Sequence, residues 1–176
     1  MLSAAGAPHA EDEKPLYPGT CRPASLTKSS VADPTGATWR FRVSEGEILR
    51  FLDQCVGPQR AVAGIDFGDF VVWRKDDVPA YQLAVVVDDA EMGITEVVRG
   101  QDLLRSTFRQ LLLYRALGWD PPAFCHLPLV TDSSGKRLAK RDAALSLRAL
   151  RAAGVDPREI RRRYAPWSPE TQNPEG

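Results

Sequence analysis

Two short stretches in the first half of the chain carry the hydrophobic pattern of β-strands. TWRFRV, residues 38–43, alternates apolar and cationic residues, and DFVVWR, residues 69–74, is rich in β-branched and aromatic residues. The segment between them allows two interpretations. SEGE at residues 44–47 matches a helix capping box before ILRFLDQCV, but it also fits a hairpin turn between two strands. The pattern alone leaves both open.

One long helix is predicted over residues 102–117. Its apolar residues recur at spacings of three and four and cluster on one side of a helix. They are Leu103, Leu104, Phe108, Leu111 and Leu112. Asp102 can cap the N-terminus, and Gly118 followed by Pro121 and Pro122 ends the helix.

Two further apolar runs have the composition of buried strands. They are LAVVV, residues 83–87, and FCHLPLV, residues 124–130. Because strand, loop and helix signals interleave in this half of the chain, we predict an α/β layered fold.

Both ends of the chain have the composition of loose segments. Residues 1–37 are rich in Ala, Pro, Gly and Ser, and PWSPETQNPEG at residues 166–176 carries three prolines without apolar periodicity. We therefore predict one ordered domain over residues 38–165, with a loosely ordered segment before it and a tail after it.

Composition predicts a globular cytoplasmic protein. The chain has 176 residues, of which 43% are hydrophobic and 26% charged, which is enough for one core. No apolar run approaches the roughly 20 residues of a membrane span, and MLSAAGAPHAEDEK lacks the pattern of a signal peptide. The three cysteines, Cys21, Cys55 and Cys125, are widely separated. Their odd number argues against a disulfide framework and is typical of a reducing compartment.

Positive charge is concentrated near the end of a chain that is neutral overall. Residues 136–163 contain ten Lys or Arg against three Asp or Glu. Within them, DSSGKRLAKRD at residues 132–142 places four cations around one glycine-led turn. Two interpretations stay open for this basic region. It can be a solvated surface, or it can bind an anion such as a nucleotide phosphate or RNA.

Adjacent carboxylates at Asp88 and Asp89 raise the alternative of a hydrolase. Consecutive residues point to opposite faces of a strand or about 100° apart on a helix. The two acids of a glycosidase must instead flank one bond at about 5–9.5 Å. We therefore interpret both residues as structural or as supporting residues behind a site, and His126 as a histidine with satisfied hydrogen bonds.

The segment at residues 80–119 carries a family resemblance. AYQLAVVVDDAEMGITEVVRGQDLLRSTFRQLLLYRALGW, followed by HLPLV and GKRLAKR, resembles the second half of the catalytic domain of glutamyl-tRNA synthetases, which are class I aminoacyl-tRNA synthetases. The resemblance covers roughly residues 69–151 in the family's order. It implies the C-terminal part of a Rossmann-type catalytic domain, with a small β-containing insertion near the N-terminus. It also implies that residues 81–92 are helical and residues 47–54 extended.

Two features resemble one branch of that family, the glutamyl-queuosine tRNA(Asp) synthetases. YPGTCR at residues 17–22 is similar to the end of that branch's zinc site, and only about 35 residues follow the basic turn. The resemblance implies a monomeric ligase that activates glutamate with ATP, accompanied by Mg²⁺, and transfers it to queuosine in aspartate tRNA. A fragment of a glutamate–tRNA ligase and a non-catalytic tRNA-binding remnant are the alternatives.

RLAKR at residues 137–141 resembles the KMSKS signature loop of class I synthetases. The resemblance implies that the loop binds ATP and that Lys140, at the second lysine, is catalytic. Its five residues are Arg137, Leu138, Ala139, Lys140 and Arg141. A lysine-bearing loop can close over the triphosphate and donate charge-assisted hydrogen bonds where negative charge develops. Ala139 replaces the usual serine, which removes a hydroxyl.

The family's ligand residues match four further positions. Arg99 and Tyr81, eighteen residues apart, are implied to bind glutamate. Each alone would be judged structural. Tyr17 and Cys21 match the last two zinc ligands, and two ligands cannot close a tetrahedral zinc site. The first two ligands and the HIGH-type ATP motif are absent from these residues. We therefore expect an N-terminally truncated enzyme that is inactive alone.

Overall fold

The computed structural model describes residues 16–20, 22, 36–130 and 146–163. The chain divides into two compact units, Met1–His126 and Leu127–Gly176. Each unit is described by itself below. The predicted domain boundaries near residues 37 and 165 stay predictions.

The described residues of the first unit form two sheets. Strands β1 (Trp39–Phe41) and β4 (Phe70–Trp73) pair antiparallel as a two-stranded sheet. They match the strands predicted from the alternation in residues 38–43 and from the β-branched and aromatic residues in 69–74. The other sheet has four strands in the order β3, β2, β6, β5. Its members are β2 (Ile48–Asp53), β3 (Gly57–Val62), β5 (Glu96–Gly100) and β6 (Ala123–Leu127).

The ambiguous segment after SEGE is extended. Strand β2 pairs antiparallel with β3, from Ile48 opposite Val62 to Asp53 opposite Gly57. The resemblance predicted this conformation, and the capping-box interpretation is wrong. Exposed and more buried positions alternate along β2, which is the period of a strand with one face toward the core. Gly57 follows the turn with φ +77°, a left-handed conformation that glycine adopts without strain.

The described residues of the first unit form two α-helices. Helix α1 (Tyr81–Glu91) replaces the strand that LAVVV predicted, as the resemblance implied. A short apolar run does not distinguish a buried strand from a buried helix. Here Gln82 and Val86, four residues apart, face the interior together. Helix α1 packs against the second helix, α2 (Leu104–Leu117).

Helix α2 confirms the long helix predicted over residues 102–117, with one correction at its start. A 3-10 turn over Gln101–Leu103 precedes it, and its N-cap is Leu103, without a side-chain cap hydrogen bond. The prediction that Asp102 caps the helix is therefore wrong. At the other end, Gly118 adopts φ 73°, and its backbone position ends the helix as predicted.

The hydrophobic core lies where α2 meets the four-stranded sheet. The ring of Phe108 packs edge-on against Phe51 at 5.2 Å between centroids and stacks on Phe67 at 6.2 Å. The buried members of the core are Val43, Ala61, Ala63, Phe67, Phe70, Val86, Phe108, Leu112, Leu113, Tyr114 and Phe124. The α/β class predicted from the sequence is confirmed.

In the second unit, the described residues form two short helices, α3 (Leu147–Ala152) and α4 (Pro157–Arg163). The hydroxyl of Ser146 caps α3 by accepting a hydrogen bond from the backbone of Ala149 at 3.1 Å. Gly154, with φ 75°, follows α3. The described part of the basic region, residues 146–163, thus forms two short helices. No helix among the described residues is long and apolar enough to span a membrane.

Candidate functional site

Arg99 lies near the end of strand β5 with its guanidinium held in one orientation. Its Nε–H donates to Nε2 of His126 at 3.0 Å. Its Nη2 donates to Thr107 Oγ1 at 2.6 Å and to Gln110 Oε1 at 2.9 Å. Its Cζ also lies 5.3 Å from the centre of the Phe124 ring. Three hydrogen bonds to fixed partners leave the planar fork little freedom to turn.

A chain of buried amides supports these partners. Nε2 of Gln110 donates to Gln82 Oε1 at 3.0 Å, and Nε2 of Gln82 donates to Ser106 Oγ at 3.0 Å. The chain links α1 to α2 and holds the Gln110 oxygen toward Arg99. Burying a polar side chain on this leucine-rich helix costs free energy unless the side chain has a hydrogen-bond partner. This network was not predicted from the sequence. Its one signal there is the run of polar residues within a helix that is predicted to be buried.

Asp53 and His126 form a buried pair beside Arg99. Both side chains have 0% exposure, and Nδ1 of His126 lies 2.5 Å from Asp53 Oδ2. The other carboxylate oxygen, Oδ1, accepts from the backbone N–H groups of Cys55 at 3.0 Å, Val56 at 3.1 Å and His126 at 3.1 Å. The prediction that the hydrogen bonds of His126 are satisfied is confirmed. Its contact with Arg99 was not predicted.

The surroundings set the charge state of this pair. Burial works to raise the pKa of Asp53, but hydrogen bonds from His126 and from backbone N–H groups outweigh burial and hold that pKa below its ordinary value. Burial lowers the pKa of His126, and the Arg99 guanidinium lowers it further, against the opposing effect of Asp53. The pair is therefore an ionised carboxylate and a neutral imidazole at neutral pH.

This charge state predicts that acid weakens the fold before the carboxylates titrate. The folded pKa of His126 is lowered, so below about pH 6.5 the unfolded chain binds a proton that the folded chain does not. The free energy of unfolding should then fall from that pH down through the folded pKa. Urea denaturation near neutral pH and at about pH 5.5 measures this fall in the free energy of unfolding. The ordinary pKa values of Asp and Glu lie near 4, so most carboxylates are still ionised at about pH 5.5. His126→Gln should reduce the difference, and an unchanged wild-type midpoint would contradict the prediction.

Tyr81 and Asp89 line the same site from helix α1. Burial lowers the pKa of the Arg99 guanidinium, and the nearby Tyr81 side chain works against that shift. Burial raises the pKa of Asp89, Arg99 lowers it, and Asp88 raises it. Asp88 is exposed and Asp89 is half-buried, so the two carboxylates do not share one site. The structure thus brings Tyr81 and Arg99 together, as the resemblance implied.

Tyr114 adds a hydroxyl near this cluster. Burial raises its pKa to about 12, with Asp89 also raising it and Arg99 lowering it. Its Oη is buried and has no hydrogen-bond partner within the part of the chain that the structure describes. The neutral hydroxyl is therefore a further polar atom beside Arg99.

A disulfide joins the turn after β2 to β6 at this site. Cys55 and Cys125 are bonded, with their Cα atoms 4.9 Å apart and a sequence separation of 70. Cys55 lies two residues after Asp53, and Cys125 lies one residue before His126. The cysteine count argued against a disulfide framework, and this single bond departs from that expectation. The parallel pairing of Asp53 with Phe124 brings the two cysteines together.

The predicted zinc ligands do not form a site within the described residues. The guanidinium of Arg40 lies 4.3 Å above the ring of Tyr17, and Cys21 falls outside the described residues. Residues 16–20, 22, 36–130 and 146–163 contain no group of three or more His, Cys, Asp or Glu placed to hold a metal. Arg22 instead anchors this segment, donating to Asp69 Oδ1 at 3.0 Å and to the carbonyl of Val43 at 2.7 Å.

The predicted ATP-binding loop also lies outside the described residues. All five of its positions, Arg137, Leu138, Ala139, Lys140 and Arg141, belong to residues 131–145. Their assignment stays a prediction from the resemblance.

Comparisons with known proteins agree on one family. A family model described as tRNA synthetases class I (E and Q), catalytic domain, matches residues 7–168. A glutamyl-Q tRNA(Asp) synthetase from Symbiobacterium thermophilum is 51% identical over 163 residues, which cover 91% of this chain and 50% of that protein. One from Nitratidesulfovibrio vulgaris is 50% identical over 157 residues, which cover 88% of this chain and 48% of that protein. The chain therefore spans about half the length of the curated relatives it matches.

A solved structure gives the same result for the fold. The glutamate tRNA ligase from Elizabethkingia meningosepticum, in complex with its amino acid, is 38% identical with a TM-score of 0.54. The match covers 59% of this chain and 21% of that one.

Proposed function

Because this chain belongs to the class I tRNA synthetases of the E and Q type, we propose that it takes part in ATP-dependent activation of glutamate and its transfer to queuosine in aspartate tRNA. Enzymes of this family use ATP. The residues proposed to bind glutamate are Arg99 and Tyr81, and those proposed to bind ATP are residues 137–141.

The state of Arg99 is the observation that carries the proposal. Its hydrogen bonds to His126, Thr107 and Gln110 all go to neutral groups and occupy Nε and Nη2. The charge of this half-buried guanidinium can still attract an anionic ligand, and the N–H groups of Nη1 can donate charge-assisted hydrogen bonds to a carboxylate. The neighbouring Tyr81 hydroxyl supplies a second polar contact. Glutamate offers the carboxylate that this arrangement would bind.

The activation step is assigned to the basic loop. A carboxylate oxygen of glutamate attacks the α-phosphate of ATP, and pyrophosphate leaves with the electrons of the broken P–O bond. Lys140 would donate charge-assisted hydrogen bonds to the phosphates as that charge develops, and Mg²⁺ would accompany the triphosphate. A hydroxyl of the acceptor nucleoside then attacks the glutamyl carbonyl, and AMP leaves.

Queuosine is favoured over the 3′ end of tRNA by the names of the relatives. The two relatives at 51% and 50% identity are glutamyl-Q tRNA(Asp) synthetases, whereas the solved glutamate tRNA ligase is 38% identical. We place the reaction in the cytoplasm and assign it to a monomer. Residues 146–163 carry six arginines against two acids, which supplies positive charge suited to tRNA phosphates.

The proposal is tested by glutamate-dependent ATP–pyrophosphate exchange and by transfer of labelled glutamate to tRNA. Residues 1–176 are assayed alone and fused to the part of the S. thermophilum relative that the match leaves uncovered. The acceptors are aspartate tRNA with and without queuosine. We expect exchange from the fused form, and label only on the queuosine-containing tRNA. Label on both tRNAs would favour the ligase alternative, and tRNA binding without exchange would favour the remnant.

Lys140→Ala should lower the exchange rate of the active form by about a hundredfold, because removing one donor from a developing oxyanion costs about that much. Binding of glutamate should change little. Lys75→Ala, at an exposed residue in the first unit, is the matched control and should leave the rate unchanged. An unaffected rate in Lys140→Ala would remove this lysine from the reaction.

A further inference from the structure

We propose that Asp53 and His126 form a positioning pair for Arg99, in which Asp53 holds His126 in the tautomer that accepts a hydrogen bond from the guanidinium. The inference rests on the proposed function, because Arg99 is there the residue that binds glutamate. Neither Asp53 nor His126 touches the ligand in this arrangement. They act through Arg99, by fixing the direction in which its remaining donors point.

The tautomer follows from the hydrogen bonds. Arginine has donors and no acceptor, so Nε2 of His126, 3.0 Å from the Arg99 Nε–H, must be unprotonated. The imidazole proton is then on Nδ1, which lies 2.5 Å from Asp53 Oδ2. An ionised carboxylate can only accept, so it favours that same tautomer. The two contacts agree on one arrangement.

The carboxylate itself is fixed by the backbone. Its other oxygen, Oδ1, accepts three backbone N–H groups, two from the turn after β2 and one from His126. These bonds keep the group from rotating and keep it ionised. They also leave Oδ2 free to face His126. The backbone turn after β2 therefore helps to fix the orientation of Arg99, through Asp53 and His126.

The three residues come from three neighbouring strands. Asp53 ends β2, His126 lies on β6 and Arg99 lies on β5, and the sheet order is β2, β6, β5. The chain of hydrogen bonds therefore runs across the sheet rather than along one element. The disulfide between Cys55 and Cys125 joins the turn after β2 to β6 beside the pair.

Asp53→Asn tests the tautomer directly. The new amide keeps an oxygen for the backbone N–H groups but places an N–H toward Nδ1, so the imidazole proton should move to Nε2. That N–H then faces the Arg99 Nε–H and cannot accept from it. Nitrogen-15 spectra of labelled histidine in residues 1–176 should show the Nδ1–H form in wild type and the Nε2–H form in the variant. A wild-type Nε2–H form or an imidazolium at neutral pH would overturn the proposal.

The functional consequence is read in the exchange assay. Asp53→Asn should raise the KM for glutamate by about tenfold to a hundredfold, the loss of one hydrogen bond to a charged group, with the KM for ATP nearly unchanged. In an Arg99→Lys background the same change should add little, because the pair acts through Arg99. A moved tautomer with an unchanged KM for glutamate would overturn the proposal, as would additive effects.

Two substitutions of His126 keep the proposal testable if Asp53→Asn does not fold. The amide of glutamine can place an acceptor near the position of Nε2, whereas that of asparagine reaches only the position of Nδ1. His126→Gln should therefore retain more of the affinity for glutamate than His126→Asn does. Equal losses in both, in variants of equal thermal stability, would assign the pair a structural role alone and overturn the proposal.

Failure of this inference is distinguishable from failure of the proposed function. The tautomer measurement needs no substrate. The predicted tautomers without any wild-type exchange would count against the function and leave the geometry in place. Exchange activity combined with the wrong tautomer would count against the positioning pair alone.

Discussion

Arg99→Lys is expected to raise the KM for glutamate by about a hundredfold in the exchange assay, with the KM for ATP nearly unchanged. The guanidinium bonds to His126, Thr107 and Gln110 through Nε and Nη2 and still has both N–H groups of Nη1 for a ligand. A lysine ammonium has only three donors on one atom and cannot make those three bonds and also donate to a carboxylate. The substitution keeps the charge, so a large effect would assign recognition to the planar geometry of the guanidinium.

Arg105→Lys is the matched control for that experiment. Arg105 is exposed on helix α2 and belongs to none of the proposed contacts with the ligand. Its substitution should leave both KM values unchanged. A wild-type KM for glutamate in Arg99→Lys would remove Arg99 from the substrate site. An equal rise in both KM values would indicate a general disturbance of the domain.

Leu112→Ala is expected to lower the free energy of unfolding by about 2–5 kcal/mol, because it leaves a cavity in the core. The Leu112 side chain is 1% exposed and belongs to the cluster around Phe108. Leu117→Ala, on the same helix at 43% exposure, is the matched control and should change stability by no more than about 0.5 kcal/mol.

Urea denaturation of both variants in residues 1–176 measures the difference between these two leucines. The two changes remove the same atoms from the same helix, so intrinsic helix propensity cancels between them. Similar losses in the two variants would show that α2 does not pack as the structure describes. The comparison tests the scaffold of the site independently of any activity.

Local pattern was sufficient where one face of an element meets the core. The alternation in residues 38–43 predicted β1, the β-branched and aromatic residues in 69–74 predicted β4, and the leucine spacing predicted α2 with its end at Gly118. In each case the nearest neighbours along the chain carry the signal, because burial of one face imposes a period of 2 or 3.6. The wrong cap at Asp102 shows that the exact start of a helix is less determined.

The local sequence pattern did not predict the structure where it fitted a helix and a strand equally well. LAVVV formed helix α1, and the residues after SEGE formed β2. A run of five apolar residues has no period, and a capping box is a sequence that turns also use. Family resemblance predicted both segments correctly because it compares the whole succession of elements at once.

The residues of the candidate site also divide into those that the sequence predicted and those that only the structure revealed. Tyr81 and Arg99 were named from the resemblance, and the structure places them together, while their role in binding glutamate stays a proposal. The partners that orient Arg99 were not named. Thr107 and Gln110 were hidden in a leucine-rich helix, and Asp53 stands 73 residues before His126. None of these contacts produces a recognisable pattern among residues that are close together in the sequence.

The sequence by itself determined the α/β class, the strands β1 and β4, and the helix that carries the core leucines. The tertiary structure alone decided the pairing of β2 with β6, the disulfide between Cys55 and Cys125, and the line of hydrogen bonds from Asp53 through His126 to Arg99. The physical reason is the separation along the sequence between the residues that interact. Backbone periodicity arises from contacts within a few residues, whereas a buried cation finds its partners only after distant strands have been brought side by side.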